Sequence, residues 1–234
     1  MQYNNTTVVL PTFNEGKNIG KLISLLLKGY PGISVIVVDD GSSDSTLTVV
    51  KKIRRLYRNV DFIDRAELKL ERGLTNSVID GINKADTKYV VVMDADLQHP
   101  ANKIVEIHNA LENGNKLAIG VREKVPGWAL HRKIISKSLI YLAYAVLLAR
   151  GGTTSTDIFS GYFGADRKFF LQVLSKHKSS FVGEGYKVLF DLLKCIKRGS
   201  VRTCDVPYTF NVRIAGVSKA SAKQVIALFA SFVS

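Results

Sequence analysis

The sequence predicts an α/β protein, a single open and mostly parallel sheet with helices on both faces. Short β-branched runs at 7–10, 35–38, 60–63, 89–93 and 117–121 alternate with segments 17–29, 44–58, 71–85 and 101–113, in which apolar residues recur every three or four positions. That alternation is the signature of successive βαβ units. Runs such as Val-Ile-Val-Val and Val-Val-Val-Met are apolar at every position, which predicts strands covered on both faces. Three of the runs also pass directly into polar, acidic loops, and ligands of open α/β sheets bind beyond the carboxyl ends of the strands.

In chain order, the first strand leads into Pro11-Thr12-Phe13-Asn14-Glu15 and helix 17–29, the start of which Asn18 or Glu15 could cap. The second leads into Asp39-Asp40-Gly41-Ser42-Ser43-Asp44. Asp44 stands just before helix 44–58 and reads mainly as its cap, whereas Asp40, at the strand end, is positioned to accept hydrogen bonds from a ribose or base. The third strand is followed by helix 71–85. The fourth runs into Asp94-Ala95-Asp96-Leu97-Gln98-His99-Pro100, then helix 101–113 and the fifth strand. Beyond Gly120 a loop at 122–130 precedes a helix over 131–149 and a Gly/Thr/Ser stretch. An apolar segment at 159–165, helices at 167–176 and 184–197, a strand at 201–206 and a last amphipathic helix at 219–232 complete the chain. No linker or repeat divides it, so one domain over 1–234 is expected, with 1–120 as a ligand-binding half and 121–234 as a second half.

The 234 residues carry 33 Lys+Arg against 20 Asp+Glu, a net charge of +13. The blocks 121–150 and 194–234 hold +11 of it. A basic half joined to a neutral one points to an anionic partner met on one face: nucleic acid, an acidic membrane surface or the phosphates of a substrate. A basic, noncatalytic module for nucleic acid or membrane is the reading from another class. No helix-turn-helix, RNP-type aromatic stretch or zinc pattern supports a nucleic-acid partner. The two cysteines, Cys195 and Cys204, form no C-x-x-C and suit a reducing compartment. No signal peptide is expected from the polar start, and the longest apolar run, 139–149, is short of the roughly 20 residues that span a bilayer. The turns after the strands match neither G-x-G-x-x-G nor G-x-x-x-x-G-K-[ST], which excludes the dinucleotide and P-loop fingerprints.

Asp94 and Asp96 flank one small residue. In an extended segment both carboxylates point the same way and converge, which raises their proton affinity unless a cation is shared. Oxygen ligands of this kind suit Mg²⁺ or Mn²⁺ completed by substrate phosphates. The competing reading has Asp96 capping the following helix and Asp94 closing a turn.

The runs Pro11–Glu15, Val37-Val38-Asp39-Asp40-Gly41-Ser42 and Met93 to Pro100 resemble family 2 inverting glycosyltransferases. Within that family the chain is most similar to the polyprenyl-phosphate sugar transferases of dolichyl-phosphate mannosyltransferase type. Arg122, Trp128, Arg132-Lys133-Ile134-Ile135-Ser136, Ser160-Gly161 and Arg213-x-x-Gly216-x-Ser218-Lys219 extend the likeness over nearly the whole chain.

The resemblance implies a glycosyltransferase A fold, a nucleotide-sugar donor with GDP-mannose favoured, a divalent metal, and a polyprenyl (dolichyl) phosphate acceptor. By similarity Pro11, Phe13 and Glu15 face the base, with Val38 and Asp40 beside base and ribose. Asp94, Ala95, Asp96 and Gln98 form the diphosphate site, with Asp94, Asp96 and Gln98 at the metal. Arg122, Arg132, Ser136 and Arg213 hold the acceptor phosphate and the donor diphosphate, and Asp96, Arg122, Arg132 and Arg213 are the catalytic set. Gly164, where the mannosyltransferase pattern often has arginine, and Val217, where it has an acidic residue, leave a UDP-glucose donor open.

A phosphomonoester with its second pKa near ~6 needs no strong base to attack the anomeric carbon. A hydroxyl acceptor would need one, for which Asp157 and Glu184 are the carboxylates to consider. The basic start and apolar continuation of 131–149 fit either a helix in a membrane interface or a core helix. The expected placement is peripheral, on the cytoplasmic face of a membrane, with a separate membrane-anchoring subunit as a possible partner.

Overall fold

A computed structural model describes residues 2–124, 130–182 and 187–211, with side chains between 130 and 139 excluded. Trp128, Glu184, Arg213, Gly216, Ser218, Lys219 and the expected helix 219–232 fall outside the described residues, as do the side chains of Arg132 and Ser136.

The chain runs β1 (Thr6–Thr12), α1 (Ile19–Gly29), β2 (Ser34–Asp39), α2 (Thr46–Leu56), β3 (Val60–Asp64), α3 (Leu74–Lys84) and β4 (Tyr89–Val92). A short 3₁₀ turn then leads into α4 (Ile104–Glu112), β5 (Leu117–Lys124), α5 (Leu130–Ala149), β6 (Phe163–Asp166), α6 (Arg167–Lys176), α7 (Val188–Cys195) and β7 (Thr203–Thr209). One seven-stranded sheet has the order β3-β2-β1-β4-β6-β5-β7. The five expected strands all form. The apolar segment at 159–165 becomes β6, which enters antiparallel between β4 and β5. The expected strand at 201–206 is β7, parallel to β5 at one edge.

Alternation within the apolar runs explains why every position is buried. Val8, Leu10, Val35, Val37, Val91 and Met93 face a core closed by α1, α2 and α4. Val9, Ile36, Val38, Val90 and Val92 face a second core closed by α3, α5, α6 and α7. Pro11 sits in this central sheet at no cost to the ladder. Val9, of the same parity, accepts the amide of Met93, and β4 has ended before Pro11 would need a partner on that side.

Gly164 on β6 marks a close approach of helix to sheet. A Cβ there would lie 2.4 Å from Ile107 Cγ2 and 3.0 Å from Leu111 Cδ1, both on α4. This contact excludes an arginine at the position while α4 is seated as it is. Gly164→Ala is expected to lower stability by about 1–3 kcal/mol through overpacking, read as a shift in urea midpoint at unchanged slope.

The chain leaves β1 toward β2 and β3, then returns to place β4 on the other side of β1. That reversal opens a crevice at the carboxyl ends of β1 and β4. Pro11–Glu15 and the acidic turn after β4 both end there.

Candidate active site

The acidic segment is a turn and not the extended strand end that the sequence suggested. β4 stops at Val92, and Leu97 adopts φ +65°, a conformation costly for a non-glycine residue. Asp96 is 5% exposed, and its Oδ1 accepts the Gln98 amide at 3.1 Å. It therefore fastens the turn itself; the 3₁₀ turn at Ala101–Lys103 has no side-chain cap. Asp94 is more open, its side chain 41% exposed.

His99 holds the turn from below. Its Nδ1 accepts the Asp94 amide at 3.0 Å, its Nε2 lies 3.8 Å from Asp94 Oδ2, and its ring stacks on Tyr162 at 5.0 Å. Burial lowers its pKa to about 4; Asp96 and Asp157 oppose the shift and Arg122 reinforces it. Gly161 explains the Ser-Gly pair ahead of β6, because a Cβ there would approach Asp94 Oδ2 to 3.1 Å. Gln98 ties the turn to the end of β7: its Nε2 donates to the Asn211 carbonyl at 3.1 Å, and its own carbonyl accepts the Asn211 amide at 2.9 Å.

Arg122 stands at the carboxyl end of β5, on the same sheet edge. Its Nε and one Nη donate to the two oxygens of Asp157 at 2.6 and 2.8 Å, a bidentate pair. Burial works against both charges, but the pairing prevails: the Asp157 carboxyl is held below its usual range and the Arg122 guanidinium above its own. A carboxylate so stabilised is a poor proton acceptor, so Asp157 does not suit the role of base. Beside this pair lies Lys187, whose Nζ donates to the Phe159 carbonyl at 3.2 Å and sits 5.0 Å from the centre of its ring. Burial pulls the Lys187 ammonium down to about 7, Arg122 acts in the same direction, and Asp157 and Asp94 oppose it.

On the other side of the crevice the two loops lace together. Asn14, at φ +53°, donates its amide to Ser42 Oγ and accepts from the Ser43 amide. Asp44 accepts the Thr46 amide at 2.9 Å and also that of Gly16, but it lies one residue before the cap position, Ser45, and α2 has no side-chain capping bond, so the expected cap is a turn that precedes the helix. Asn18 donates to Glu15 Oε2 at 2.8 Å and makes no side-chain capping bond, so neither residue caps α1 through its side chain.

Asp39 is fully buried and accepts from Thr12, Gly41 and Ser42. Asp40 accepts from Arg65 Nε at 3.1 Å and the Gly73 amide at 2.9 Å. Arg65, which the sequence did not single out, also bonds Asp80 and the Glu71 carbonyl. Val38 has its side chain sealed in the core, so only its backbone is left to meet a ligand. Phe13 is exposed, with the Arg72 guanidinium 5.8 Å from its ring.

The buried histidines set the response to acid. His108, 2.9 Å from Thr6 Oγ1, is held below its ordinary pKa by burial, as His99 is. The unfolded chain, titrating near ~6.5, takes up these protons first, so stability present above pH ~6.5 is lost as pH falls toward the folded values. Melting temperature is expected to drop between pH 7 and 5, and His108→Gln to reduce that slope.

Among the described residues, no group of three or more His, Cys, Asp or Glu is placed to hold a metal alone. Asp94 and Asp96 nevertheless fit Mg²⁺ or Mn²⁺, which take one or two carboxylates and draw remaining ligands from substrate phosphate and water. The Asp94 carboxylate faces the space that a side chain at Gly161 would fill.

The chain matches glycosyl transferase family 2 over residues 7–174. It is 34% identical over 225 residues to a dolichol-phosphate mannosyltransferase of Pyrococcus furiosus, covering 94% of this chain and 60% of that protein. Proteins of the same name from Mycosarcoma maydis and Saccharomyces cerevisiae are each 32% identical, covering 93% and 94% of this chain and 74% and 82% of their own lengths. Among solved structures, glucosyl-3-phosphoglycerate synthase from Mycobacterium tuberculosis, in complex with Mn²⁺, UDP-glucose and phosphoglyceric acid, superposes with a TM-score of 0.64. It is 21% identical, and the superposition covers 98% of this chain and 80% of that one. Mannosyl-3-phosphoglycerate synthase from Rubrobacter xylanophilus gives a TM-score of 0.64 at 17% identity, covering 98% of this chain and 72% of that one. The sheet and these matches together make the chain a member of glycosyl transferase family 2, built on the glycosyltransferase A fold.

Proposed function

We propose that the protein transfers mannose from GDP-mannose to a polyprenyl phosphate of dolichyl type, inverting the anomeric configuration. The observation that carries this reading is the meeting, at one sheet edge, of the Asp94–Asp96 turn with Arg122 locked on Asp157. Similarity to three proteins named dolichol-phosphate mannosyltransferase supports the choice of sugar and acceptor.

Phe13, with Arg72 near its ring, offers a stacking surface for the base, and by resemblance Pro11, Glu15 and Asp40 face the nucleoside beside it. Asp94, Asp96 and Gln98 would hold a divalent cation that neutralises the departing diphosphate. Arg122, with Arg132, Ser136 and Arg213 by resemblance, binds phosphate oxygens through a charge that persists at any working pH. The acceptor is already ionised at neutral pH, so these residues position it without removing a proton. The ionised, arginine-bound state of Asp157 agrees with a reaction that needs no base from it.

Among the described residues no helix is long and apolar enough to cross a membrane. Ala143 and Leu147 on α5 pack in the core, while Tyr141, Leu142 and Leu148 are exposed. We assign that outer face to contact with the lipid surface that carries the acceptor, on the cytoplasmic side. Flotation with anionic vesicles, weakened by Leu148→Asp, checks this assignment.

Transfer is tested with radiolabelled GDP-mannose, and UDP-glucose in parallel, on polyprenyl phosphate and on free polyprenol. Label in the phosphate-dependent lipid product from GDP-mannose alone is the expected result. Transfer from UDP-glucose alone would reassign the donor, and equal transfer to free polyprenol would overturn the acceptor.

A further inference from the structure

The carboxyl ends of α5, α6 and α7 meet around an open cavity of about 550 Å³. It is lined by Arg150 after α5, His177 and Ser180 after α6, and Lys194, Cys195 and Lys197 at the end of α7. Backbone bonds tie its walls together: the Arg198 amide donates to the Gly151 carbonyl at 2.9 Å, and the Thr153 amide to the Ile196 carbonyl at 2.8 Å. Lys187, at the opposite end of α7, stands with Phe159 at the catalytic edge, and the cavity shares no residue with the crevice.

The surroundings are cationic. Segments 150–151, 176–180 and 194–198, which supply the lining, contain Arg150, Lys176, Lys178, Lys194, Lys197 and Arg198 and no aspartate or glutamate. Lys194 is buried, meets Asp191 at 3.1 Å and donates to the Ser180 carbonyl at 3.3 Å, so it builds the wall. Arg150 is likewise engaged. With both set aside, Lys176, Lys178, Lys197 and Arg198 remain, all of them exposed. Three helix C-termini offset about −0.5 charge each, roughly −1.5 together, which four cations exceed. Burial pushes the Cys195 thiol up, so it adds no negative charge.

The cavity also has an apolar neighbour. Between Tyr141 and Ala149 the exposed residues of α5 are Tyr141, Leu142, Ala145, Leu148 and Ala149, spaced as one helix face with no charge on it. That strip ends at Arg150, where the cavity begins. An apolar strip running into a cationic hollow complements an amphiphile, its acyl chains along the strip and its anionic head in the hollow.

Resting on the lipid contact assigned to α5 above, we propose that this cavity binds the phosphodiester headgroup of an anionic phospholipid, at a site separate from that of the acceptor. Lys197, His177 and Ser180 offer it donors, and the bound headgroup pins the far end of α5 to the bilayer.

The test combines calorimetry of short-chain phosphatidylglycerol below its micelle concentration with flotation on phosphatidylcholine vesicles, with and without phosphatidylglycerol. Wild type is compared with Lys197→Gln, Lys197→Glu and Lys52→Gln, the last removing an exposed charge on α2, across the sheet. Lys197→Gln is expected to weaken short-chain lipid binding and anionic flotation about fivefold, and Lys197→Glu about twenty-five-fold, the scale for basic residues near an anionic surface. Lys52→Gln should stay within about twofold on that scale, and flotation on phosphatidylcholine alone should be the same in all, because the apolar strip is intact. Melting temperature should not move in Lys197→Gln, since the Lys197 carbonyl and not its side chain bonds Ser200. Equal losses in Lys197→Gln and Lys52→Gln would overturn the site and leave only diffuse attraction. Inorganic phosphate competing as well as the short-chain lipid would overturn the lipid as its source. The two readings fail separately: flotation unmoved by Leu148→Asp would sink the α5 contact while calorimetry still decides the cavity, and no calorimetric binding by the wild type would sink the cavity assignment.

Discussion

Asp96→Ala is expected to reduce mannose transfer by at least about 10²–10³-fold, the scale for losing one preorganised group that stabilises developing charge. The residue has two jobs in the turn, and the substitution removes both. Its charge would help hold the divalent cation, and its Oδ1 fixes the Gln98 amide at 3.1 Å beside a leucine held at positive φ. Asp96→Asn separates the two, since an amide oxygen can still accept from Gln98 but carries no charge. If Asn and Ala are equally impaired while Asn keeps the wild-type melting temperature, the charge is what matters. Chelation of the wild type should mimic both. Activity in Asp96→Asn within about tenfold of wild type would remove the residue from the metal site.

The second large effect is expected at Asp157. The Asp157 side chain is 7% exposed and the Arg122 side chain 19%, so deleting the acid leaves a guanidinium without its bidentate counter-charge. Breaking one side of such a pair costs about 3–5 kcal/mol. Asp157→Ala should therefore lose that much in urea unfolding and most of its transfer activity, because Arg122 no longer has a fixed direction. The paired variant Arg122→Met/Asp157→Leu should regain stability, as buried ion pairs replaced by apolar residues of similar volume often do, and remain inactive. An active double variant would show that the pair serves only the fold.

Much of this architecture was legible because it is local. Five strands and the helices between them follow from periodicities within a dozen residues. The bond of Asp44 to the Thr46 amide follows from a residue type two positions ahead of it, though it falls one residue short of the cap position, Ser45. β6 was only an apolar segment in the sequence, since four residues with a glycine inside carry no information about direction. Its antiparallel entry is decided by β4 and β5, which it joins.

The acidic turn was found by its composition and misjudged in shape. Nothing in Asp94-Ala95-Asp96 announces the positive φ at Leu97, which His99 and its stack on Tyr162 help hold in place. Contacts between distant positions were the least visible. Arg122 and Asp157 are 35 residues apart, and Arg65 and Asp40 are 25 apart. Lys187 came into view only once α7 was seen to deliver it to the segment around Phe159. Asp157 had been noticed, but as a base; the partner that denies it that role lies on β5, 35 residues away.

The tether between Gln98 and Asn211 joins the acidic turn to the end of β7, two residues before Arg213. Three hydrogen bonds, counting that from Asn211 Nδ2 to the Leu97 carbonyl, link the turn to the departing chain, and coupling of this sort is reciprocal. Whatever donor binding contributes to seating Asn211, seating Asn211 contributes equally to donor binding. Loosening Asn211 and loosening the acidic turn are therefore one event, so Asn211→Ala will be felt first in the seating of Gln98 and Leu97.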